Sequence, residues 1–300
     1  MLGSTAKTAT QRVGSLLILQ QQRTFATQQN HIVKVDYSKF PSESTSQANP
    51  PIVICHGLFG SKQNWKSLAR AFSKRLSADV YTLDMRNHGD SPHNPVHNYN
   101  VMADDVATFL QTNGLENSVL MGHSMGGKVV MNLCLRRLQP VEKLVVVDMA
   151  PAVKRLSSDF ASYIQYMDEI QRAKLTKRSE ADAILKKVEP DLSIRQFLLT
   201  NLKKDEDTGI YKFRIPYKTL GESLDNMTAF MDHKMEPYDG STLFIAGGKS
   251  NYIKPERDGD HIREQFPNSE IKVIEGAGHW VHAEKPEEFV NIVSDYYKQS

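Results

Sequence analysis

Six short, largely apolar runs constrain the fold more than any other feature of this chain: Ile52-Val53-Ile54-Cys55, Val80-Tyr81-Thr82-Leu83, Ser118-Val119-Leu120-Met121, Leu144-Val145-Val146-Val147, Leu243-Phe244-Ile245-Ala246 and Ile271-Lys272-Val273-Ile274. Runs that do not alternate with polar residues read as strands buried on both faces, as in a parallel sheet covered by helices. Between them the spacing predicts helices over 65–75, 99–111, 125–138 and 286–297. Strand, helix and strand in series predict βαβ units with right-handed crossovers, hence an α/β fold with a doubly wound, mostly parallel sheet. The run Ile32-Val33-Lys34-Val35 is expected to supply an edge strand.

One interval departs from this rhythm. Over residues 151–237 the β-branched runs nearly vanish, and charged helical patterns over 160–173, 179–188 and 192–202 replace them. Ser179 and Asp182 have capping-box spacing at the start of the second pattern. A helical insertion between core strands predicts a lid over the C-terminal edge of the sheet, where open α/β folds bind their ligands.

Charge removes some function classes and locates another signal. With 37 Lys+Arg against 35 Asp+Glu, the chain lacks the basic excess of a nucleic-acid binder. No apolar stretch approaches the roughly 20 residues that cross a bilayer. Two cysteines, Cys55 and Cys134, cannot build a disulfide framework, and each sits in an apolar run that suits a buried free thiol. The first 25 residues carry Lys7, Arg12 and Arg23 and no acid, in a stretch rich in Ser, Thr, Gln and Ala. That composition predicts a mitochondrial targeting presequence over 1–25, with Arg23-Thr24-Phe25-Ala26-Thr27 resembling a processing site. A single domain over 26–300 follows, placed in the matrix or on the inner-membrane surface. Without the presequence the chain has 34 basic and 35 acidic side chains, so the slight basicity belongs to the address.

The chemistry-bearing motifs fall at the ends of the predicted strands. Gly122-His123-Ser124-Met125-Gly126 follows one strand and opens a helix, the context in which a tight turn presents a nucleophilic serine at the sheet edge. His56-Gly57-Leu58-Phe59-Gly60 follows an earlier strand. Acyl transfer needs two N–H donors for the oxyanion, and these are expected from Leu58 and Met125, with Phe59 as the fallback for Leu58. A pairing of His56 with Cys55 is a poor alternative, because neighbours on a strand point to opposite faces. Gly276-Ala277-Gly278-His279-Trp280 follows the last strand, so His279 is the expected general base, with His282 its competitor. His88, His93 and His97 are expected at the surface or the pocket rim, and their spacing matches no compact metal site. Asp84 is expected to form a structural ion pair with Arg86.

These segments, together with Asp84-Met85-Arg86-Asn87-His88-Gly89-Asp90-Ser91-Pro92-His93, resemble the α/β-hydrolase superfamily. Within it they are similar to the mitochondrial branch that holds abhydrolase domain-containing protein 11 and the yeast ethanol acetyltransferases. The resemblance covers residue 32 to the C-terminus and implies a sheet of the eight-stranded type. Most superfamily members place the triad acid after the strand that is 243–246 here, yet that loop reads Gly247-Gly248-Lys249-Ser250-Asn251-Tyr252 and offers Ser250 instead. The preceding strand ends in Asp148, at the same sheet edge, and the resemblance implies that this branch uses the earlier acid. Asp148 is therefore the expected third member with Ser124 and His279, Ser250 a hydrogen-bonding neighbour, and Asp258, Asp260 and Glu275 its rivals.

Such a site implies an acyl-enzyme on Ser124 formed from a carboxylic ester or thioester. Attack by water makes an esterase or thioesterase. Attack by a bound alcohol makes an alcohol acetyltransferase, with acetyl-CoA or another acyl-CoA as substrate rather than cofactor. A partner-binding scaffold is the third reading, less favoured because Ser124, His279 and an acid are all present. Epoxide hydrolase or dehalogenase chemistry would need Asp at position 124. The Gly-rich segments match no phosphate-cradle or dinucleotide pattern, so no cofactor is expected, and the histidine spacing likewise leads to no expected metal. In the lid, Arg195, Arg214, Tyr163 and Phe197 are candidates for pocket lining or packing.

Overall fold

The computed structural model describes residues 31–43, 49–152, 158–228, 230 and 235–299. The expected presequence and its processing site lie outside the described residues. Nine strands are described: β1 Asp36–Phe40, β2 Ile52–Cys55, β3 Val80–Asp84, β4 Ser118–His123, β5 Val141–Val147, β6 Leu202–Lys204, β7 Tyr211–Phe213, β8 Thr242–Gly247 and β9 Ser269–Ile274. The helices, after a 3-10 turn at Lys62–Trp65, are α1 Lys66–Leu76, α2 Tyr99–Thr112, α3 Met125–Leu135, α4 Ser158–Ala173, α5 Arg178–Leu185, α6 Leu192–Leu199, α7 Tyr217–Glu222, α8 Leu224–Thr228, α9 Pro255–Gln265, α10 Val281–Glu284 and α11 Pro286–Lys298.

Among the described residues the main sheet has seven strands in the order β1-β3-β2-β4-β5-β8-β9. All neighbours pair in parallel except β1, which runs antiparallel to β3 with Asp36 opposite Asp84. The absence of polar alternation in the central strands has a direct cause. Ile52, Ile54, Val119, Met121, Val145 and Val147 cluster with Phe72 and Leu76 of α1 and with Phe289 and Val293 of α11. The intervening residues Val53, Cys55, Leu120, Leu144 and Val146 cluster on the other face with α2 and α3. Each fully buried Val, Leu or Ile contributes about 1.5–3 kcal/mol of transfer free energy, which favours apolar residues on both faces of these strands. Cys55 and Cys134 are free thiols inside this core, and burial pushes the Cys55 thiol up to about 12.

The structure differs from the sequence pattern in several places. The edge strand is Asp36–Phe40 rather than 32–35. Val33 and Val35 are buried, but the Val33 N–H is taken by the Asp105 carboxylate at 2.7 Å, which removes it from any ladder. Helix α3 stops at Leu135, not 138, because Arg137 turns into a left-handed conformation with φ of 51°. Between β5 and β8 the chain forms α4 to α8 together with an antiparallel hairpin, β6 with β7, where an all-helical insertion was expected. Helix α5 begins one residue early, at Arg178. Glu180, not Asp182, therefore accepts the backbone N–H before the helix, from Lys177 at 3.2 Å. Asp182 instead pairs with Arg195 at 3.0 Å.

Candidate active site

Strands β4, β5, β8 and β9 all end on one edge of the sheet, and the candidate residues lie in the turns that leave them. At the end of β4 the turn is forced by close packing. A Cβ on Gly122 would stand 2.2 Å from the Gly126 carbonyl oxygen, and one on Gly126 would stand 2.3 Å from that of Cys55. Ser124 between them has φ 52° and ψ −112°, a strained conformation for a residue with a side chain. Its N–H is anchored to the Val147 carbonyl at 3.0 Å. The serine is thereby held at the start of α3 and 4% exposed.

The structure brings Ser124, His279 and Asp148 together. The Ser124 hydroxyl lies 3.0 Å from His279 Nε2, and His279 Nδ1 lies 2.6 Å from Asp148 Oδ2. With Nδ1–H donating to the carboxylate, Nε2 is left as the acceptor facing the serine. Asp148 is wholly buried and also accepts the Gly247 N–H at 3.0 Å and the Ser250 hydroxyl. Ser250 in turn accepts the Tyr252 N–H at 3.1 Å. The aromatic ring of Tyr252 stacks on His279 with centroids 4.0 Å apart and planes 24° from parallel.

The rival acids sit elsewhere. Asp258 accepts the Lys254 N–H at the start of α9 and pairs with Arg257. Asp260 is exposed and pairs with Arg263, and Glu275 is exposed. His282 is buried and stacked on Trp65, with centroids 4.1 Å apart. His123, just before the nucleophile, donates from Nε2 to the His279 carbonyl at 2.9 Å and so ties the two loops together.

Met125 is the first residue of α3, so its N–H has no acceptor within the helix. The fallback donor Phe59 is occupied, since its N–H donates to His88 Nε2 at 3.1 Å. Leu58 therefore remains the candidate from this loop.

His88 and His97, expected at the surface or rim, are buried, while His93 is exposed. His88 donates from Nδ1 to the Arg86 carbonyl at 2.9 Å. His56 donates from Nδ1 to the Gly57 carbonyl at 2.7 Å and accepts the Met85 N–H on Nε2 at 3.0 Å. Two neutral imidazoles thus fasten the loop after β2 to the loop after β3. The expected Asp84–Arg86 pair does not form. Asp84 pairs with Lys62 at 2.8 Å, and Arg86 with Asp105 at 2.6 Å. The carboxylates of Asp36, Asp84 and Asp90 come close enough to hold a metal ion, but the Lys62 ammonium lies 2.5–2.8 Å from all three and fills that place.

Burial pushes the pKa of His56 down to about 4 and those of His88, His97 and His282 to about 3, and lowers that of His123 well below its usual value. In the unfolded chain these imidazoles titrate near about 6.5. Their contribution to stability is complete above that value and is lost as pH falls toward the folded values, because only the unfolded chain takes up the protons. Each costs up to about 1.4 kcal/mol per pH unit in this window. The melting temperature is expected to fall by more than about 5 °C between pH 7 and pH 5. Calorimetry in buffers of matched ionic strength checks this, and a flat profile would contradict it.

A cavity of about 410 Å³ adjoins His279, walled by Phe160, Tyr163, Glu189, Ile194 and Tyr252. Tyr163 donates its hydroxyl to Glu189, so this lid candidate lines the cavity. The other three are packing residues. Arg195 holds Asp182 and the carbonyls of Glu189 and Pro190, Arg214 pairs with Asp90, and Phe197 packs edge-on against Trp280.

A parallel sheet with a strained serine after its β4 strand, and histidine and carboxylate after neighbouring strands, defines a hydrolase of the α/β class. Residues 50–286 match the model of the alpha/beta hydrolase fold, and the chain belongs to that family. It is 43% identical over 251 residues to the mouse protein named sn-1-specific diacylglycerol lipase ABHD11, covering 82% of this chain and 80% of the relative. A Saccharomyces cerevisiae protein named "Probable alcohol acetyltransferase" is 38% identical over 301 residues, covering 94% of this chain and 86% of the relative. Among solved structures, one titled "Marine microorganism esterase" superposes with a TM-score of 0.80 at 31% identity, covering 88% of this chain and 99% of that one.

Proposed function

We propose that this chain is a serine hydrolase of carboxylic esters or thioesters, working through an acyl-enzyme on Ser124. The observation that carries the reading is the unbroken line of hydrogen bonds from Ser124 through His279 to the buried Asp148. His279 Nε2 takes the Ser124 proton as Oγ attacks the carbonyl carbon. Asp148 holds the imidazole in the acceptor tautomer and stabilises the imidazolium that forms. The N–H groups of Leu58 and Met125 receive the oxyanion, each worth about 3 kcal/mol at the transition state. His279 then protonates the leaving alcohol or thiol. Water activated by the same histidine releases the acid. None of these steps uses a cofactor or metal.

A second reading has its own support. The relative named as an alcohol acetyltransferase spans nearly the whole chain, and transfer of an acetyl group from acetyl-CoA to ethanol would use the same three residues. The two differ only in whether water or alcohol reaches the acyl-enzyme first. Purified protein lacking the first 25 residues, given radiolabelled acetyl-CoA with and without ethanol, is expected to yield free acetate as the main product. Ethyl acetate in excess of acetate would reverse the ranking.

The mitochondrial address, in the matrix or on the inner-membrane surface, is proposed on the composition of residues 1–25. Among the described residues no helix is long and apolar enough to cross a membrane. Sequencing the N-terminus of protein taken from cells tests the address: a start near residue 26 supports cleavage, and an intact Met1 contradicts it.

A further inference from the structure

The loop after β2 is fastened on two sides, and one fastening comes from the lid. The Gly60 N–H closes a turn onto the Gly57 carbonyl at 2.9 Å. Phe59 occupies the third position of that turn with φ of 64°, a place glycine usually takes. A phenylalanine stays there only if its surroundings hold it. The side chain is fully buried and packs near Phe160 of α4, with ring centroids 5.9 Å apart. Its N–H is held by His88 from the core. Its carbonyl accepts the side-chain amide of Asn201 at 2.7 Å. Asn201 is 2% exposed and lies between α6 and the β6–β7 hairpin, its own backbone fixed by the Leu198 carbonyl at 3.2 Å and the Arg214 N–H at 2.9 Å.

We propose that Asn201 is a positioning residue that couples the seating of the lid to the geometry of the oxyanion loop. The Phe59 carbonyl shares a peptide plane with the Gly60 N–H, the Leu58 N–H shares one with the Gly57 carbonyl, and the 2.9 Å hydrogen bond from Gly60 to Gly57 ties the two planes together. Holding the Phe59 carbonyl from the lid therefore orients the Gly60 N–H that anchors the Gly57 carbonyl, and with it the plane that carries the Leu58 N–H, while His88 holds the Phe59 N–H from the core. When the lid is seated, the turn is locked in its strained form. Without the Asn201 amide the strain can relax and move the Leu58 donor off the oxyanion. The proposal rests on the reading of Leu58 as an oxyanion donor, and it makes the lid a part of transition-state binding as well as a wall of the pocket.

The test separates transition-state from ground-state binding. Asn201→Ala is expected to lower kcat on a short-chain ester by about 10- to 100-fold, with KM within about threefold. Affinity for an alkylboronic acid, whose tetrahedral adduct on Ser124 presents an oxygen to the same donors, should fall by the same factor as kcat. Binding of the matching ether, which forms no adduct, should stay within about threefold of wild type. Should Asn201→Ala fail to fold, Asn201→Ser, whose hydroxyl is too short to replace the amide, is read in the same way. Unchanged kcat, or equal losses for boronate and ether, would overturn the proposal. If the wild-type protein itself neither turned over esters nor bound the boronate, the reading of the site would fail first, and the proposal with it.

Discussion

Replacing Ser124 with alanine is expected to lower ester turnover by about a millionfold while leaving the fold intact. The size follows from the mechanism, because Ser124 carries the hydroxyl that faces the accepting nitrogen of His279, at 3.0 Å. The nearest hydroxyl hydrogen-bonded into the same constellation, Ser250, donates to Asp148 and lies on the far side of the imidazole from the nucleophile. Alanine meets the same backbone strain at φ 52° as serine does, so thermal stability should change little. Steady-state assay on a chromogenic ester, with a melting curve on the same preparation, measures both quantities. Residual turnover within about a hundredfold of wild type in a folded Ser124→Ala protein would point to a nucleophile other than Ser124.

The second large effect concerns the acid. Asp148→Asn is expected to lower kcat by about ten-thousandfold, because an amide at this position no longer favours the His279 tautomer with Nδ1–H, and the imidazolium loses its counter-charge. The contrast is with the carboxylates of α9. Asp258→Asn removes a partner of the Lys254 N–H and of Arg257, so it should cost about 1 kcal/mol of stability and leave kcat within about threefold. Asp260→Asn touches only an exposed ion pair and should change neither quantity. Near-normal turnover in Asp148→Asn, with a large loss in either α9 variant, would move the acid to that helix. His279 is not a substitute test, since its removal would abolish turnover whichever carboxylate served it.

What could be read in the sequence follows from where the physics is local. The central strands were legible because both faces are buried, and the elbow because only glycine fits beside Ser124 at the close approaches of Gly122 and Gly126. Asp148 was expected from the family resemblance together with its position at the end of β5, where the next strand's loop offers Ser250, and the structure places it 2.6 Å from His279. Features decided by distant partners were not legible. Asp84 and Arg86 are two residues apart, yet they pair with Lys62 and Asp105, which come from other elements. His88 and His97 lie in a polar loop that folds inward, so composition placed them outside. The β6–β7 hairpin is too short and too charged for alternation to register. Asn201 carried no signal at all: a lone asparagine between a helix and a charged hairpin takes on meaning only when the Phe59 carbonyl arrives beside it.

The residues around the triad also say how much of the active site is scaffold. Ser250, Tyr252 and His123 each touch a triad member without standing in line to react: one donates to Asp148, one stacks on His279, one holds the His279 carbonyl. His56 and His88 hold the oxyanion loop from below as neutral imidazoles. On the proposed mechanism the chemistry falls to three side chains and two backbone amides, and the neighbouring groups hold those five in place.

The central claim, that Ser124 is a nucleophile activated by His279 and Asp148, is tested most directly by covalent labelling. The folded protein is treated with a fluorophosphonate, and the adduct is mapped by mass spectrometry of its peptides. A single adduct on Ser124 is predicted, absent from Ser124→Ala and slowed by orders of magnitude in Asp148→Asn. A folded protein that takes no label, or one labelled at another residue with Ser124 unmodified, would contradict the account.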